Sequence, residues 1–313
     1  MEKLNILVTG GAGYLGSILV PTLIDKGYNV TVLDNFMYDQ TSLLECCAHD
    51  NFRVMKGDAR NEKTVREALQ GQDVIIPLAA IVGAPACDLD PVATRSTNYE
   101  AVALVNKLRS KEQRIIFPTT NSGYGIGQDG IYCTEETPLK PISLYGTTKV
   151  DAENNLLDSQ NTITFRLATV FGFSPRMRLD LLVNDFTYRA FHDRYIVLFE
   201  AHFKRNYIHI RDVAKAFMFG IENFERMKNQ PYNVGLSTAN LSKMELCEKI
   251  KEQLPAFNIF VSEIGKDPDQ RNYIVSNDKI EKLGYIPDHS IDMGIRELIK
   301  GFRIITNNKF ANI

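Results

Sequence analysis

The segment Gly10-Gly11-Ala12-Gly13-Tyr14-Leu15-Gly16 limits what this chain can fold into more than any other stretch. It follows an apolar run, Leu4 to Thr9, and leads into a helical pattern carried by Ile18, Leu19, Leu23 and Ile24. Gly11, Gly13 and Gly16 satisfy G-x-G-x-x-G, while Gly10, Gly13 and Gly16 satisfy the wider G-x-x-G-x-x-G spacing. In either register the missing side chains let backbone N–H groups approach a pyrophosphate at the positive end of a helix. Set between strand and helix at the start of a βαβ unit, the turn predicts dinucleotide binding.

Further β-type runs follow at Asn29 to Asp34, Arg53 to Lys56, Val74 to Leu78, Arg114 to Phe117 and Thr162 to Leu167, with helix-like segments between most of them. This alternation predicts an α/β fold with a doubly wound parallel sheet of the Rossmann type. The runs are nearly solid Val, Ile and Leu, as expected for strands covered by helices on both faces. After Gly172 the patterns mix, and Pro175, Pro231, Pro255, Pro268 and Pro287 mark loops. A smaller C-terminal α/β domain is expected there. The expected division gives residues 1–172 to the dinucleotide domain and residues 173–206 and 237–313 to a substrate domain, with 207–236 returning to the first. Leu246, Ile250 and Leu254, with Ile295, Leu298 and Ile299, read as helix core faces.

Composition excludes several classes. Lys and Arg total 36 against 38 Asp and Glu, a net charge of −2, so no basic field attracts nucleic acid. Cys46, Cys47, Cys87, Cys133 and Cys247 are odd in number and lack a C-x-x-C pair, which argues against a disulfide framework and a zinc site. His202 and His209 have no metal-ligand partner at useful spacing, so no metal is expected. No apolar run approaches the roughly 20 residues of a membrane span. The expectation is a cytoplasmic protein with free thiols and no membrane partner.

The second strand ends in Asp34, near the ~20-residue offset at which a carboxylate accepts a ribose 2′-hydroxyl. That carboxylate would repel a 2′-phosphate, and Asn35, Phe36 and Met37 supply no Arg or Lys to receive one, so NAD is favoured. Asp58, at the end of the third strand, is placed for an adenine amino group or for capping the next helix. Tyr145 and Lys149 form Tyr-x-x-x-Lys, one helical turn apart and on one face. An ammonium beside a phenol favours the phenolate, which lowers the tyrosine pKa and makes Tyr145 a general base for a hydroxyl being oxidised. Lys149 is also in reach of a nicotinamide ribose. Upstream, the polar run Thr119 to Gly125 follows a strand directly, where ligands of such sheets bind.

Taken together, the Thr9 to Gly16 turn, Asp34-Asn35, Gly57-Asp58, Leu78-Ala79-Ala80, Asn98, Thr120 ahead of Tyr124-Gly125, Tyr145-x-x-x-Lys149 and Lys204 to Asp212 resemble the extended short-chain dehydrogenase/reductases of the NAD-dependent sugar-nucleotide epimerase/dehydratase family. The resemblance runs over essentially the whole chain. It implies a catalytic triad of Thr120, Tyr145 and Lys149, with Asn98 in a supporting role. It also implies a cofactor site formed by Gly10, Gly13, Tyr14, Leu15, Gly16, Asp34, Asn35, Asp58, Ala59, Leu78, Ala79, Ala80, Asn98, Tyr145, Lys149 and Leu167. Three departures stand out: Pro77 replaces the usual His, Thr169 replaces the Asn after the sixth strand, and Pro118 occupies a strand position.

Relatives that eliminate water carry Asp and Glu directly after the catalytic Thr, where this chain has Asn121 and Ser122. Neither exchanges a proton near neutral pH as a carboxyl does. No Cys lies between Thr119 and Gly125, and Cys133 reads as a half-buried loop residue. What remains is hydride transfer at one carbinol carbon. The implied partner is a nucleoside-diphosphate sugar, its reacting end near Thr120, Asn121, Ser122 and Thr169. Arg205 and Arg271 are first choices for the diphosphate by the resemblance, followed by Arg176, Arg178 and Asn184. By the same resemblance the expected activity is oxidation at C4 to a 4-keto sugar, with a GDP-linked heptose or mannose-type sugar as substrate, for surface polysaccharide. A second small-molecule hydride acceptor, which Arg176 and Arg178 are placed to receive, belongs to that expectation. The alternatives are a UDP-hexose type 4-epimerase and a non-catalytic sensor of NAD redox state. A homodimer is expected through helices near Asp90 to Ser110 and Ser143 to Leu157, with Leu104 and Leu108 as an apolar patch.

Overall fold

In the computed structural model, which describes residues 3–264 and 271–305, seven strands make one parallel sheet. Its order is Gln230–Val234, Thr162–Leu167, Arg114–Thr120, Val74–Pro77, Asn5–Thr9, Asn29–Asp34, Phe52–Lys56. Strand order reverses beside Asn5–Thr9, and a ligand crevice opens at such a switch point, outside the carboxyl ends of the strands. Ile6, Leu7, Val8, Val74, Ile75, Ile76, Ile115, Ile116 and Phe117 are all fully buried, so the solid apolar runs reflect helices on both faces.

Two prolines stand inside strands rather than breaking them. Arg114–Thr120 runs three residues beyond the expected end and carries Pro118. Val74–Pro77 pairs with it only at Arg114 and Ile115, so the ladder on that flank has ended before the missing N–H matters. Pro231, expected in a loop, lies in Gln230–Val234, which pairs only with Thr162–Leu167 and is therefore an edge where proline is tolerated. Pro268 lies outside the described residues.

Beyond Gly172 a second apolar cluster forms, around Phe171, Val183, Leu246, Ile250, Ile295 and Leu298. The helices Leu182–His192, Lys243–Gln253 and Ile291–Gly301 enclose it against a sheet of Thr169–Phe171, Lys204–His209 and Asn240–Ser242. The helix Ile210–Glu222 packs instead into the main cluster, against Gly16–Asp25. Cys133, expected half-buried, is fully enclosed with Tyr124, Tyr273 and Val275. Leu104 and Leu108 do not form an exposed patch: both are half-buried against Val102, Val105 and Leu156. No helix among the described residues is long and apolar enough to cross a membrane.

The glycine turn is held by backbone contact. Gly10 has φ of 70°, and a Cβ there would lie 2.6 Å from Ala79 Cα. A Cβ on Gly16 would lie 2.6 Å from Gly11 Cα. At Gly13 the only neighbour is the Gly10 carbonyl oxygen, at 3.2 Å. Gly16→Ala is therefore expected to lower the melting temperature, at a cost on the order of 1–3 kcal/mol. Gly13→Ala should melt close to wild type and lose cofactor affinity instead; thermal denaturation beside a cofactor titration separates the two.

Candidate active site

The carboxyl ends of the central strands gather most of the expected cofactor residues. Asp34 is buried, accepting from Ala12 N at 3.0 Å and Phe36 N at 2.8 Å, so it braces the glycine turn as well as facing the nucleotide end. Tyr14 and Leu15 lead into the helix Gly16–Asp25, whose positive end faces the turn, with Ser17 N donating to Gly13 O at 2.9 Å. With Gly13 open, this is a cradle that fits a dinucleotide pyrophosphate. Leu78, Ala79 and Ala80 follow Val74–Pro77 as a half-buried loop beside Gly10, and Leu167 closes the end of its strand. Asn35 is exposed and accepts from Met37 N. Asp58, beside Ala59, does not cap the next helix. Asn61 does so, and Asp58 is gripped by Arg60, which donates from Nη2 at 2.6 Å and holds the carboxyl below its usual range.

Asn98 sits on a π turn, Ser96–Glu100, inside a longer helical run. Its Oδ1 accepts from Ile81 N at 2.8 Å and its Nδ2 donates to Ile81 O at 2.9 Å. The amide therefore holds the loop after Ala80, and it approaches Thr148 Oγ1 at 3.5 Å on the neighbouring helix.

That helix is Leu144–Asp158, capped by Ser143 accepting from Gly146 N. Tyr145 lies in its first turn and Lys149 one turn on. Lys149 is 4% exposed, with Nζ 3.9 Å from the centroid of the Phe117 ring. Burial pushes its pKa down to about 7, against the opposing pull of Glu153. Tyr145 departs from expectation. Burial pushes the phenol up to about 12, Cys87 adds to the rise, and the groups that pull it down are Arg178, Arg271 and a hydrogen bond with Thr120. Two arginines thus add positive charge at the phenol, and the Lys149 ammonium one turn on lies against an aromatic face.

Thr120 ends its strand, and its hydroxyl accepts from Ser122 N at 3.1 Å and donates to Ser122 Oγ at 3.0 Å. Arg271 donates to Ser122 Oγ, bringing the second lobe onto the catalytic segment. Asn121 is 1% exposed, and neither amide atom has a hydrogen-bond partner among the described residues. Arg205 is buried in the strand Lys204–His209, and Thr169 stands half-buried on the adjoining strand.

The remaining candidates are tied into the fold. Arg178 pairs with Asp180 and donates to Val82 O at 3.3 Å. Arg176 lies over the Tyr38 ring at 4.6 Å, beside the glycine-turn helix. Asn184 is fully committed: it accepts from Gly172 N at 3.0 Å and donates to Arg178 O at 2.8 Å and Tyr14 OH at 3.2 Å. Tyr14 OH in turn donates to Gly172 O at 2.6 Å, and Ser174 Oγ to Tyr14 O at 2.7 Å. The glycine turn and the arginine segment are thereby knotted together, which sequence spacing alone does not reveal. Sequence reasoning also missed Glu153 and Arg166, although Glu153 continues the Tyr145, Lys149 spacing by one more turn.

A doubly wound sheet with this turn and a Tyr-Lys helix at its carboxyl edge defines a dinucleotide-dependent enzyme. Comparison with known proteins agrees. Residues 6–235 match the NAD dependent epimerase/dehydratase family, and the chain belongs to it. It is 28% identical over 307 residues to the low-salt glycan biosynthesis protein Agl12 of Haloferax volcanii, covering 95% of this chain and 97% of that one. It is 25% identical over 313 residues to UDP-glucose 4-epimerase of Corynebacterium glutamicum, covering 92% of each. In fold it matches dTDP-glucose 4,6-dehydratase of Bacillus anthracis in complex with NAD, with a TM-score of 0.84 at 21% identity over 98% of both chains. The protein is an NAD-dependent enzyme of the nucleotide-sugar epimerase/dehydratase type.

The buried lysine gives a stability prediction. An unfolded lysine titrates near 10.4 and the folded one near 7, so the unfolded state binds the extra proton between those values and stability rises with pH across that window. Lys149→Met is expected to melt about 2–4 °C above wild type at pH 6, with the gain shrinking toward pH 10. Differential scanning fluorimetry across pH checks this, and activity should be lost at every pH.

Proposed function

We propose that the protein oxidises C4 of a nucleoside-diphosphate sugar and releases the 4-keto sugar. The observation that carries this is the segment Thr120-Asn121-Ser122: an amide and a hydroxyl follow the threonine, and Ser122 is bonded to Thr120 and to Arg271. Elimination of water needs a second acid or base beside the catalytic threonine, and Asn121 and Ser122 supply an amide and a hydroxyl. Removing one hydroxyl proton while a hydride leaves the same carbon needs only one base.

NAD, when bound, would supply the hydride acceptor and a positive charge. In this reading Thr120 orients the C4 hydroxyl and Tyr145 takes its proton. It does so as the phenolate: burial raises the phenol to about 12, and Arg178, Arg271 and the Thr120 hydrogen bond, with the positive charge that bound NAD would add, oppose that rise so that the oxygen is free to accept the proton. Lys149 bonds the nicotinamide ribose and holds a positive charge near the phenol. Asp34 selects the free 2′-hydroxyl. Arg205 and Arg271 hold the diphosphate from the second lobe, beside Thr169, and the division at residues 172, 206 and 236 is the proposed domain boundary. A GDP-linked heptose or mannose-type sugar for surface polysaccharide is the proposed substrate class. A second small molecule would be needed to take up the hydride, and Arg176 and Arg178 would hold it if it is an anion.

Incubation with a panel of nucleotide sugars, following the C4 hydrogen by NMR, tests this. A 4-keto product formed in step with NADH supports it. Catalytic conversion to the C4 epimer with no 4-keto product makes the enzyme an epimerase. Tyr145→Phe is expected to lower turnover roughly 10²–10⁴-fold with NAD binding nearly intact; retention of most activity moves the base elsewhere.

A homodimer through the helices 91–108 and 144–158 belongs to the same proposal. Val92, 81% exposed in the first of these helices, joins the half-buried Leu104 and Leu108 as its apolar contacts. Sedimentation at micromolar concentration is expected to give a dimer, and Val92→Asp a monomer.

A further inference from the structure

Tyr145, Lys149 and Glu153 stand four residues apart on Leu144–Asp158 and share one face of that helix. The face becomes more buried along the helix: Tyr145 is half-buried, Lys149 is 4% exposed and Glu153 0%. A buried carboxylate costs several kcal/mol unless partnered, so its oxygens need an account. Arg166, on the strand Thr162–Leu167, donates to Glu153 Oε1 twice, from Nε at 2.9 Å and Nη2 at 2.6 Å. Both bonds end on the same oxygen. Oε2 has no hydrogen-bond partner among the described residues. Arg166 is itself fixed, its Nη1 donating to Glu135 O at 3.0 Å and Tyr124 OH at 3.2 Å. The arginine therefore anchors the carboxylate without spending it.

We propose that Glu153 is a positioning residue for the hydride-transfer site: its buried carboxylate, one helical turn from Lys149, supplies the negative field that keeps the ammonium charged over Phe117, with Arg166 setting how much of that field Lys149 feels. The inference rests on reading Tyr145 and Lys149 as the hydride-transfer pair. The ionisable groups facing Lys149 are Glu153 from its own helix and Cys87 from the helix Ala84–Leu89. Arg166 and Tyr124 meet Glu153 from the strand and the turn packed beside it. Phe117 and Asn98 face the same helix and do not titrate. Burial opposes the ammonium and Glu153 is the largest influence that supports it.

The test is a titration of Lys149 itself, by the Cε shift of carbon-13-labelled lysine, with the resonance assigned by its loss in Lys149→Arg. Glu153→Gln keeps an oxygen for Arg166 and removes the charge. Its Lys149 midpoint is expected to fall by roughly 1–2 pH units, and the alkaline fall of kcat/KM to move down equally. Glu153→Asp, which keeps the charge on a shorter arm, is expected to lie between that variant and wild type. Arg166→Gln removes the competing cation and is expected to move the midpoint upward. A Glu153→Gln protein whose Lys149 titrates at the wild-type midpoint overturns the proposal, whatever its melting temperature. Where Glu153→Gln does not fold, an unchanged midpoint in Arg166→Gln overturns it. A midpoint that moves as expected while the kcat/KM profile stays in place upholds the Glu153 pairing and refutes the role assigned to Lys149 in hydride transfer.

Discussion

At Gly10 and Gly16 two pairs of backbone segments approach so closely that a methyl group has no place, and the nucleotide end of the molecule is built outward from that approach. Gly10 sets the loop of Leu78 to Ala80 against the end of the first strand, and Gly16 lets the first helix begin directly over the turn. Asp34 ties the next strand to the same turn through Ala12. Tyr14 then carries the constraint across to the second lobe, because its hydroxyl is shared between Gly172 and Asn184. The position of Arg178 depends on this chain of contacts, since Asn184 also holds its carbonyl. On the proposed reading, a cofactor seated in the turn and a sugar held by the second lobe would thus be referred to one rigid element.

The second organising constraint is the burial of charge. Lys149, Glu153 and Arg166 all lie inside, and each is more costly there than a hydrophobic residue of similar volume. The structure offsets this with an aromatic face for the ammonium and a double bond from the guanidinium to one carboxylate oxygen. Tyr145 stands at the end of this row, where Arg178 and Arg271 add positive charge from the other side. Such an arrangement is costly for stability and useful for one purpose: it favours an anion at the tyrosine oxygen when a proton must leave.

The sheet was legible because its strands are buried on both faces and therefore read as unbroken apolar runs, and the glycine turn was legible because only glycine fits its backbone. Where reading failed, the cause lay in tertiary context. Pro118 and Pro231 look like breakers until the sheet shows that one lies beyond a neighbour's pairing and the other on an edge. Leu104 and Leu108 look like an exposed stripe because helical periodicity does not say which neighbour covers it. The Tyr145 pKa was misjudged for a related reason: spacing puts the ammonium one turn away, whereas desolvation, which spacing does not record, outweighs it. Asn184 shows the same limit, its amide being consumed by contacts to residues 6, 12 and 170 positions distant.

The segment Thr120-Asn121-Ser122 divides the chemistry of the pocket from its outcome. With an amide and a hydroxyl in place of carboxyl groups, no proton leaves the carbon beside a 4-ketone and none is delivered to a departing hydroxyl, so on the proposed reading the reaction stops at the ketone. Release and inversion share that ketone and every group that forms it. They differ only in whether the sugar turns its other face to the reduced cofactor before it leaves, and this depends on how firmly the diphosphate is held. On the proposed reading that grip belongs to Arg205 and Arg271, on the second lobe, and Arg271 also reaches Ser122. On the same reading, changes within Thr120, Tyr145 and Lys149 would alter the rate of both outcomes together, whereas changes at Arg205 or Arg271 would alter their ratio.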